Sequence, residues 1–352
     1  MPSAEIHISD IRSFKSCRRK WWWSSPLGRN LESNVPYAPF FTGQAIHYAL
    51  EMYYEKPSVP FRESAEKFIS HKEKEMGTLW PMERETFIEQ VDLILGLLDH
   101  YALWVRGLEG PYADSNLEFL SLETSFRVPI YAPSGRKSPK VFLAGRFDGV
   151  VRKVSDGSLW IWETKTARSI EELLKSLVND EQAGAYIWAA QQIYKQPIVG
   201  VLYNVLRKKV PTVPEVLQSG YLSVNKKCDT TAEAYFTAAH RQHPDWDMTQ
   251  IMDYYGAFIE ALQEKGNTFF VRFPVYRTAT EISTLAENLH ATSLEMTRKS
   301  TVHYPTPGWM NCSFCHFRAP CLAMNAGGDV EWMLENEYRL RTNPNDWRTE
   351  EI

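Results

Sequence analysis

Two carboxylates and a lysine, brought together across one short turn, are the residues whose types and spacing most clearly suit chemistry. Gly145, Arg146, Phe147 and Asp148 precede the turn residues Ser155, Asp156, Gly157 and Ser158, and Trp162, Glu163, Thr164 and Lys165 follow them. If Asp156 and Gly157 are the two central residues of a hairpin turn, Ser155 pairs with Ser158, Asp148 with Lys165 and Val150 with Glu163. Side chains alternate along a strand, so Asp148, Glu163 and Lys165 fall on one face. Directly opposed pairs stand ~5 Å apart and diagonal ones ~7 Å, which leaves room for a cation between the carboxylates with the ammonium beside it. Mg²⁺ or Mn²⁺ suits such oxygen ligands. It would neutralise a phosphate and acidify a bound water, while Lys165 would orient that water and offset developing negative charge. The arrangement suits phosphodiester hydrolysis. A surface hairpin with a cross-strand ion pair, worth ~0.2 to 1 kcal/mol, would use the same residues. Glu163 shifts the balance, because it stands in an apolar run with Leu159 and Ile161 on its own face, and a buried charge needs a partner or a metal.

A second set is made of sulfur. Cys312, Cys315 and Cys321 lie close together near the C-terminus, and Cys17 stands almost 300 residues earlier. This clustering fits metal ligation in a reducing compartment better than a disulfide framework. A structural zinc site is usually assembled from two local ligand pairs, whereas this spacing offers one pair and two singletons. Four thiolates also suit a [4Fe–4S] cluster. Zinc and unligated thiols stay open as alternatives, and Cys228 has no partner in the pattern.

The elements that must position these residues are legible in outline. Apolar residues recur at helical spacing from Gly43 to Glu55, which puts His47 and Glu51 one turn apart on another face. Residues 62–107 read as further helices. Short strand-like runs follow at Phe119 to Pro129, Val141 to Val154 and Leu159 to Thr166. Helical periodicity returns over Ser169 to Leu177 and Glu181 to Tyr194, before another apolar strand at Ile198 to Leu206. Residues 230–300 read as mainly helical. This order predicts an α/β fold with a mixed central sheet flanked by helices. The chain divides into an N-terminal segment (1–56), a helical insertion (57–115), a core (116–230) and a helical region with a cysteine-rich tail (231–352).

Gly145 to Asp148 together with Glu163, Thr164 and Lys165 resembles motifs II and III of the PD-(D/E)xK nucleases. Gln182 and Tyr186, at i and i+4 on one helix face, resemble the QxxxY motif of that superfamily's RecB-like branch. The resemblance implies a restriction-endonuclease-like core with helical insertions, and a metal held by His47, Asp148, Glu163 and the main-chain carbonyl of Thr164. The order Cys17, His47, Asp148, Glu163, Lys165, Gln182, Tyr186, Cys312, Cys315, Cys321 is similar to that of the iron-staple nucleases, the AddB nuclease domain and the CRISPR-adaptation RecB-like enzymes. It implies a [4Fe–4S] cluster tying the N-terminus to the C-terminal region, and a nuclease, expected to be an exonuclease, acting on DNA ends or single strands.

Bulk properties narrow the partners. The chain has 352 residues, a net charge of −4, 44% hydrophobic and 23% charged residues. That is ordinary globular composition, without the overall field of a protein that coats nucleic acid. Local basic runs, Arg18, Arg19 and Lys20 beside three tryptophans, and Arg207, Lys208 and Lys209, are candidates for phosphate contacts, with the tryptophans stacking on bases or filling core. No GxxxxGK[ST] loop is present, so motor activity would come from a helicase or recombination partner. No signal-peptide pattern or membrane-length apolar run is seen, and an intracellular, cytoplasmic setting is expected. A non-catalytic DNA- or partner-binding subunit, a site-specific endonuclease and a zinc-stabilised nucleic-acid module remain as alternatives.

Overall fold

The structure is a computed structural model that describes residues 4–34, 38–76 and 81–341. Strand β1 (Ala4–Ile6) leads into helices α1 (Ile8–Ser16) and α2 (Arg18–Ser24), short strand β2 (Leu31–Ser33), and helices α3 (Ala38–Glu55), α4 (Phe61–Met76) and α5 (Pro81–Arg106). The core then runs through β3 (Leu117–Tyr131), β4 (Lys137–Lys153), β5 (Leu159–Ala167), α6 (Ile170–Leu177), α7 (Glu181–Tyr194) and β6 (Ile198–Arg207). It is followed by α8 (Ala232–Gln242), α9 (Met248–Lys265), β7 (Phe270–Tyr276) and α10 (Ala279–Thr297), and the tail holds α11 (Trp309–Ser313), α12 (Arg318–Asn325), α13 (Val330–Asn336) and β8 (Tyr338–Leu340).

One mixed sheet organises the molecule: β1, β4, β5, β6 and β7 in that order, with β3 on the other edge of β4. β1 runs parallel to β4 at Val141 to Leu143, whereas β5 is antiparallel to it from Gly149 to Arg152. Both therefore use the same edge of β4, and the stretch between them, up to Asp148, is left without a strand partner on that side. The crossover from β5 through α6 and α7 returns to β6 in parallel, the connection that places helices over a sheet face.

Apolar burial fixes which helices cover which face. Leu159, Ile161, Val201, Tyr203 and Val205 pack with Ala183, Ile187 and Trp188 of α7 and Leu289 and Met296 of α10. Trp160, Trp162 and Leu202, on alternate positions, turn to the other face against Leu117 and Val151. Helices α3 to α5 form their own core around Phe68, Leu97 and Tyr101, which reaches the sheet through Leu206, Phe269 and Phe270.

The outline expected from the sequence holds for β3 to β6 and for α6 and α7. Two features differ. Residues 230–300, expected to be helical, contain β7, an edge strand whose Pro274 is tolerated because an edge position need not donate to a second neighbour. The N-terminal segment (1–56), where the sequence pattern suggests a helix and no strand, contains β2, which pairs with β8 and so joins the N- and C-terminal regions directly.

Candidate metal centre and active site

The β4–β5 ladder stops at Gly149 opposite Trp162, one residue short of Asp148 and Glu163. Beyond that point the strands part, and the Thr164 amide donates to Asp148 Oδ2 at 2.8 Å. A side chain thus replaces the ladder where the sheet opens. The pairing expected from the sequence is corrected here. The turn is wider than two residues: Gly157 N donates to Lys153 O and Lys153 N to Ser158 O, so Arg152, not Val154, stands opposite Leu159. That slip of two residues preserves the face of every side chain, and Asp148, Glu163 and Lys165 still converge.

Glu163 is 3% exposed, and its Oε1 accepts from Lys165 Nζ at 2.6 Å and Gln182 Nε2 at 3.0 Å. Lys165 Nζ also donates to Gln182 Oε1 at 3.2 Å. α7 delivers Gln182 from its first turn, fixed by the side chain of the N-cap residue Asp180, which accepts from the Gln182 amide at 2.9 Å. Tyr186, one turn on, sits edge-on to Phe126 and Phe147, so it supports the α7 face. Phe126 also explains Gly145: a Cβ there would lie 2.7 Å from the Phe126 ring.

His47 comes from α3, its Nδ1 3.4 Å from Asp148 Oδ2. Beside it lies a residue that the sequence reading missed. Glu123 of β3 stands opposite Asp148, between the pairs Leu122–Gly149 and Thr124–Phe147. Its φ of +43° is a conformation that non-glycine residues rarely adopt. Its carboxylate is 2.6 Å from Arg146 Nε and 4.0 Å from His47 Nδ1. His47, Glu123 and Asp148 each offer a ligand atom within 4.8 Å of the others.

Burial sets the electrostatics. Desolvation, then the nearby Asp148 charge, pushes the Glu123 carboxyl up to about 7 despite Arg146. The same two causes raise Glu163 above the ordinary carboxylate range, with Lys165 opposing them. Burial would raise Asp148 too, but His47, Lys165 and the Thr164 amide hold it below its ordinary value. Burial would lower His47 and Lys165, yet the surrounding carboxylates carry both upward. Acidic groups crowded at this depth make a site in which a divalent cation would replace protons, and the oxygen and imidazole donors fit a hard cation.

The family model of the PD-(D/E)XK nuclease superfamily matches residues 6–322. The chain belongs to the PD-(D/E)XK nuclease superfamily. No curated protein matches it. Members of this superfamily are generally nucleases that use divalent metals such as Mg²⁺, and the acidic centre of this nuclease-family chain has the donors for one. Among the described residues no helix is long and apolar enough to cross a membrane.

The family match also covers the cysteines. Cys17 is the junction of α1 and α2, and its Sγ accepts from Thr306 N at 3.5 Å. Cys17 and Cys312 are near enough to Cys315 to help raise its thiol pKa, after the larger effect of burial. Cys315 and Cys321 pack against one apolar cluster with Trp23, Phe317 and Tyr338. A zinc tetrahedron with Zn–S of about 2.3 Å needs sulfurs about 3.8 Å apart; among the described residues the cysteines form no three-sulfur group within 4.8 Å. The basic residues beside them are engaged within the chain: Arg18 with Glu295 at 2.5 Å, Arg19 with Asn325 and with Cys321 Sγ at 3.4 Å. Arg207 pairs with Asp229 at 3.0 Å and lies over Phe269. Trp21 and Trp23 are core, and Trp22 stacks on His303 at 4.1 Å.

Proposed function

We propose that this chain is a metal-dependent deoxyribonuclease that hydrolyses phosphodiester bonds, acting as an exonuclease on DNA ends or single strands. The observation that carries the reading is the meeting of Asp148, Glu163 and Lys165 where β4 and β5 part, with His47 and Glu123 on the far side of Asp148. A Mg²⁺ or Mn²⁺ ion bound there would neutralise the scissile phosphate and acidify a water. His47, Asp148, Glu163, the Thr164 carbonyl and Glu123 are the residues assigned to hold it.

Within that frame the chain's own groups divide the work. Lys165 is kept as an ammonium by Glu163 and Asp148, so it serves as a cationic donor to the attacking oxygen or to the phosphate, not as a base. Gln182, bonded to both members of the Glu163–Lys165 pair, fixes their rotamers. Glu163 keeps Oε1 on Lys165 and Gln182 and has its buried Oε2 without a hydrogen-bond partner, the oxygen it would offer to the cation. Arg18 and Arg207 are assigned to backbone phosphates, which would displace Glu295 and Asp229. Arg19, donating to Cys321, is assigned instead to offsetting thiolate charge.

For Cys17, Cys312, Cys315 and Cys321 we assign a [4Fe–4S] cluster. The order of the thiols along the chain, one local pair and two singletons, supports it over zinc. Loss of catalysis with retention of DNA binding would leave a non-catalytic subunit as the reading, but the complete Asp148, Glu163 and Lys165 set argues for turnover.

The test is cleavage of end-labelled single- and double-stranded DNA by anaerobically purified protein with Mg²⁺ or Mn²⁺, with chelator and Lys165→Ala as controls. Metal-dependent cutting that the variant lacks is expected, and the product ladder gives direction. Binding without cutting under every metal would overturn the nuclease reading.

A further inference from the structure

Helix α1 has no part in the acidic centre, yet it is fastened to the helix that supplies Gln182. Arg12, near the middle of α1, makes an ion pair with Asp180, and Lys15 makes one with Glu181 one residue later. These contacts join positions 168 and 166 residues apart in sequence.

Asp180 is a junction. Its Oδ1 accepts from Arg12 and from the Gln182 amide, and its Oδ2 accepts from the Tyr203 hydroxyl of β6 at 3.3 Å. Its main-chain carbonyl accepts from Arg277, which also holds the Leu177 carbonyl at 2.9 Å. With both carboxylate oxygens and the carbonyl engaged, the rotation of Asp180 is defined, and with it the first turn of α7. Gln182 lies in that turn and reaches Glu163 and Lys165 directly. Arg12 is near enough for its charge to act on Lys165, Tyr186 and Tyr203, while its own side chain is 45% exposed.

We propose that Arg12 is a positioning residue that, through Asp180, fixes the first turn of α7 and so holds Gln182 against the Glu163–Lys165 pair. The proposal rests on the nuclease reading for its kinetic consequence, but its structural content, the placement of Gln182 by Arg12, stands apart from it. The chemistry is a charge-assisted hydrogen bond that orients a carboxylate already capping the helix. Arg12 supplies a rigid planar donor to the Asp180 carboxylate from outside the α6–α7 crossover, so a substitution in α1 reaches the active site without touching it.

Two readouts on the full chain test this. The side-chain amide signals of Gln182, assigned by their disappearance in Gln182→Glu, report its placement by NMR whether or not DNA is cut. In Arg12→Leu those signals shift and lose their protection from solvent exchange, and Arg12→Lys restores them in part. Cleavage kinetics read the consequence: Arg12→Leu lowers kcat on the order of tenfold, as for a small misplacement of a catalytic pair, with KM for DNA and the circular dichroism spectrum unchanged. Asp180→Asn, which keeps the cap but loses the ion pair, follows Arg12→Leu. Unchanged Gln182 signals in Arg12→Leu overturn the proposal. A rise in KM with kcat intact also overturns it, and makes Arg12 a phosphate contact. If the wild type never cuts, the nuclease reading falls, and the Gln182 signals still decide the placement claim.

Discussion

Glu163 Oε1 accepts from both Lys165 Nζ, at 2.6 Å, and Gln182 Nε2, at 3.0 Å. One oxygen is thereby held by two donors, and the carboxylate cannot turn without breaking both bonds. Lys165 is in turn bonded to Gln182, which closes a triangle around the position where a substrate oxygen would meet the ammonium. Removing the ammonium leaves the metal ligands in place but strips the site of the cation that would face the substrate oxygen. Lys165→Ala should therefore lower kcat by on the order of 10²- to 10³-fold while Mn²⁺ affinity, measured by calorimetry, stays near wild type. Equal loss of metal affinity would mean that Lys165 organises the ligands and does not act on the reacting phosphate.

Why Asp148, Glu163 and Lys165 were legible in the sequence and Glu123 was not is a matter of parity. The turn between β4 and β5 is wider than the sequence suggests, but the register slips by two residues and every side chain keeps its face. The hairpin between β3 and β4 is less forgiving. Tyr131 stands opposite Lys137 while Pro129 stands opposite Phe142, so β4 carries three extra residues in a bulge. An odd offset flips the face, and counting outward from that turn points Glu123 away from Asp148. Its positive φ adds a local turn that no propensity foretells. β7 was hidden for a different reason: its run of aromatic and β-branched residues is only seven long and carries Pro274, which speaks against a strand except at a sheet edge, the position it takes beside β6.

Glu123 gives the second prediction. Its carboxylate completes the three-donor group with His47 and Asp148, so Glu123→Gln should weaken divalent-cation binding by at least the roughly 10- to 100-fold that losing even an outer-shell partner costs. Manganese titration followed by electron paramagnetic resonance measures this without any substrate. Unchanged affinity would restrict Glu123 to its ion pair with Arg146.

The third prediction concerns pH in the metal-free protein. Glu123 has a folded pKa raised from 4.5 to about 7, and Glu163 is raised as well. A carboxyl with a raised folded pKa binds its proton more tightly when folded, so stability falls as pH rises from the unfolded toward the folded value. The full shift of Glu123 corresponds to about 3 kcal/mol. His47 is also raised and loses its stabilising proton in the same direction. The depressed Asp148 acts below the ordinary carboxylate value and leaves this window untouched. The melting temperature without metal should therefore drop between pH 4.5 and 7, and Mn²⁺ should stabilise the protein more at pH 8 than at pH 5. A metal effect independent of pH would contradict competition between cation and protons at these carboxylates.

Arg272 of β7 supports the fold from behind the sheet. Its side chain is 2% exposed and pairs with Asp114 at 2.5 Å. It also donates to the Tyr54 hydroxyl at 2.9 Å and to the Tyr112 carbonyl, with its guanidinium 4.8 Å from the Trp162 ring centre. Tyr54 and Tyr101 share a hydroxyl contact at 3.1 Å, and Tyr101 donates to Asn204 at 3.2 Å. This network joins α3 and α5 to β6 and β7. Arg272→Met would leave several buried polar groups without their donor and should cost about 3 to 5 kcal/mol, seen as a lower denaturation midpoint in urea. A loss below about 1 kcal/mol would show that water replaces the guanidinium.

The last prediction concerns Cys17. The N- and C-terminal regions are joined without any metal by β2 and β8, by the ion pair of Arg29 with Glu331 at 2.7 Å, and by the packing of Trp23 against Phe317. The thiols add a tie at a different point, where α1 meets α2. If they hold a cluster, Cys17→Ser should lose iron and acid-labile sulfide together, and with them the visible absorption of the anaerobically purified protein. The β2–β8 tie should keep the chain folded, so the loss appears first as protease cutting between α10 and α11, where Tyr304 and Thr306 contact the α1–α2 junction. Cleavage of DNA should decline later, on heating, because the acidic centre is built on α3, β3, β4, β5 and α7, and none of its residues belongs to the α1–α2 junction. A variant that keeps its iron would remove Cys17 from the ligand set, and one that loses zinc in place of iron would assign the four thiols to a mononuclear site.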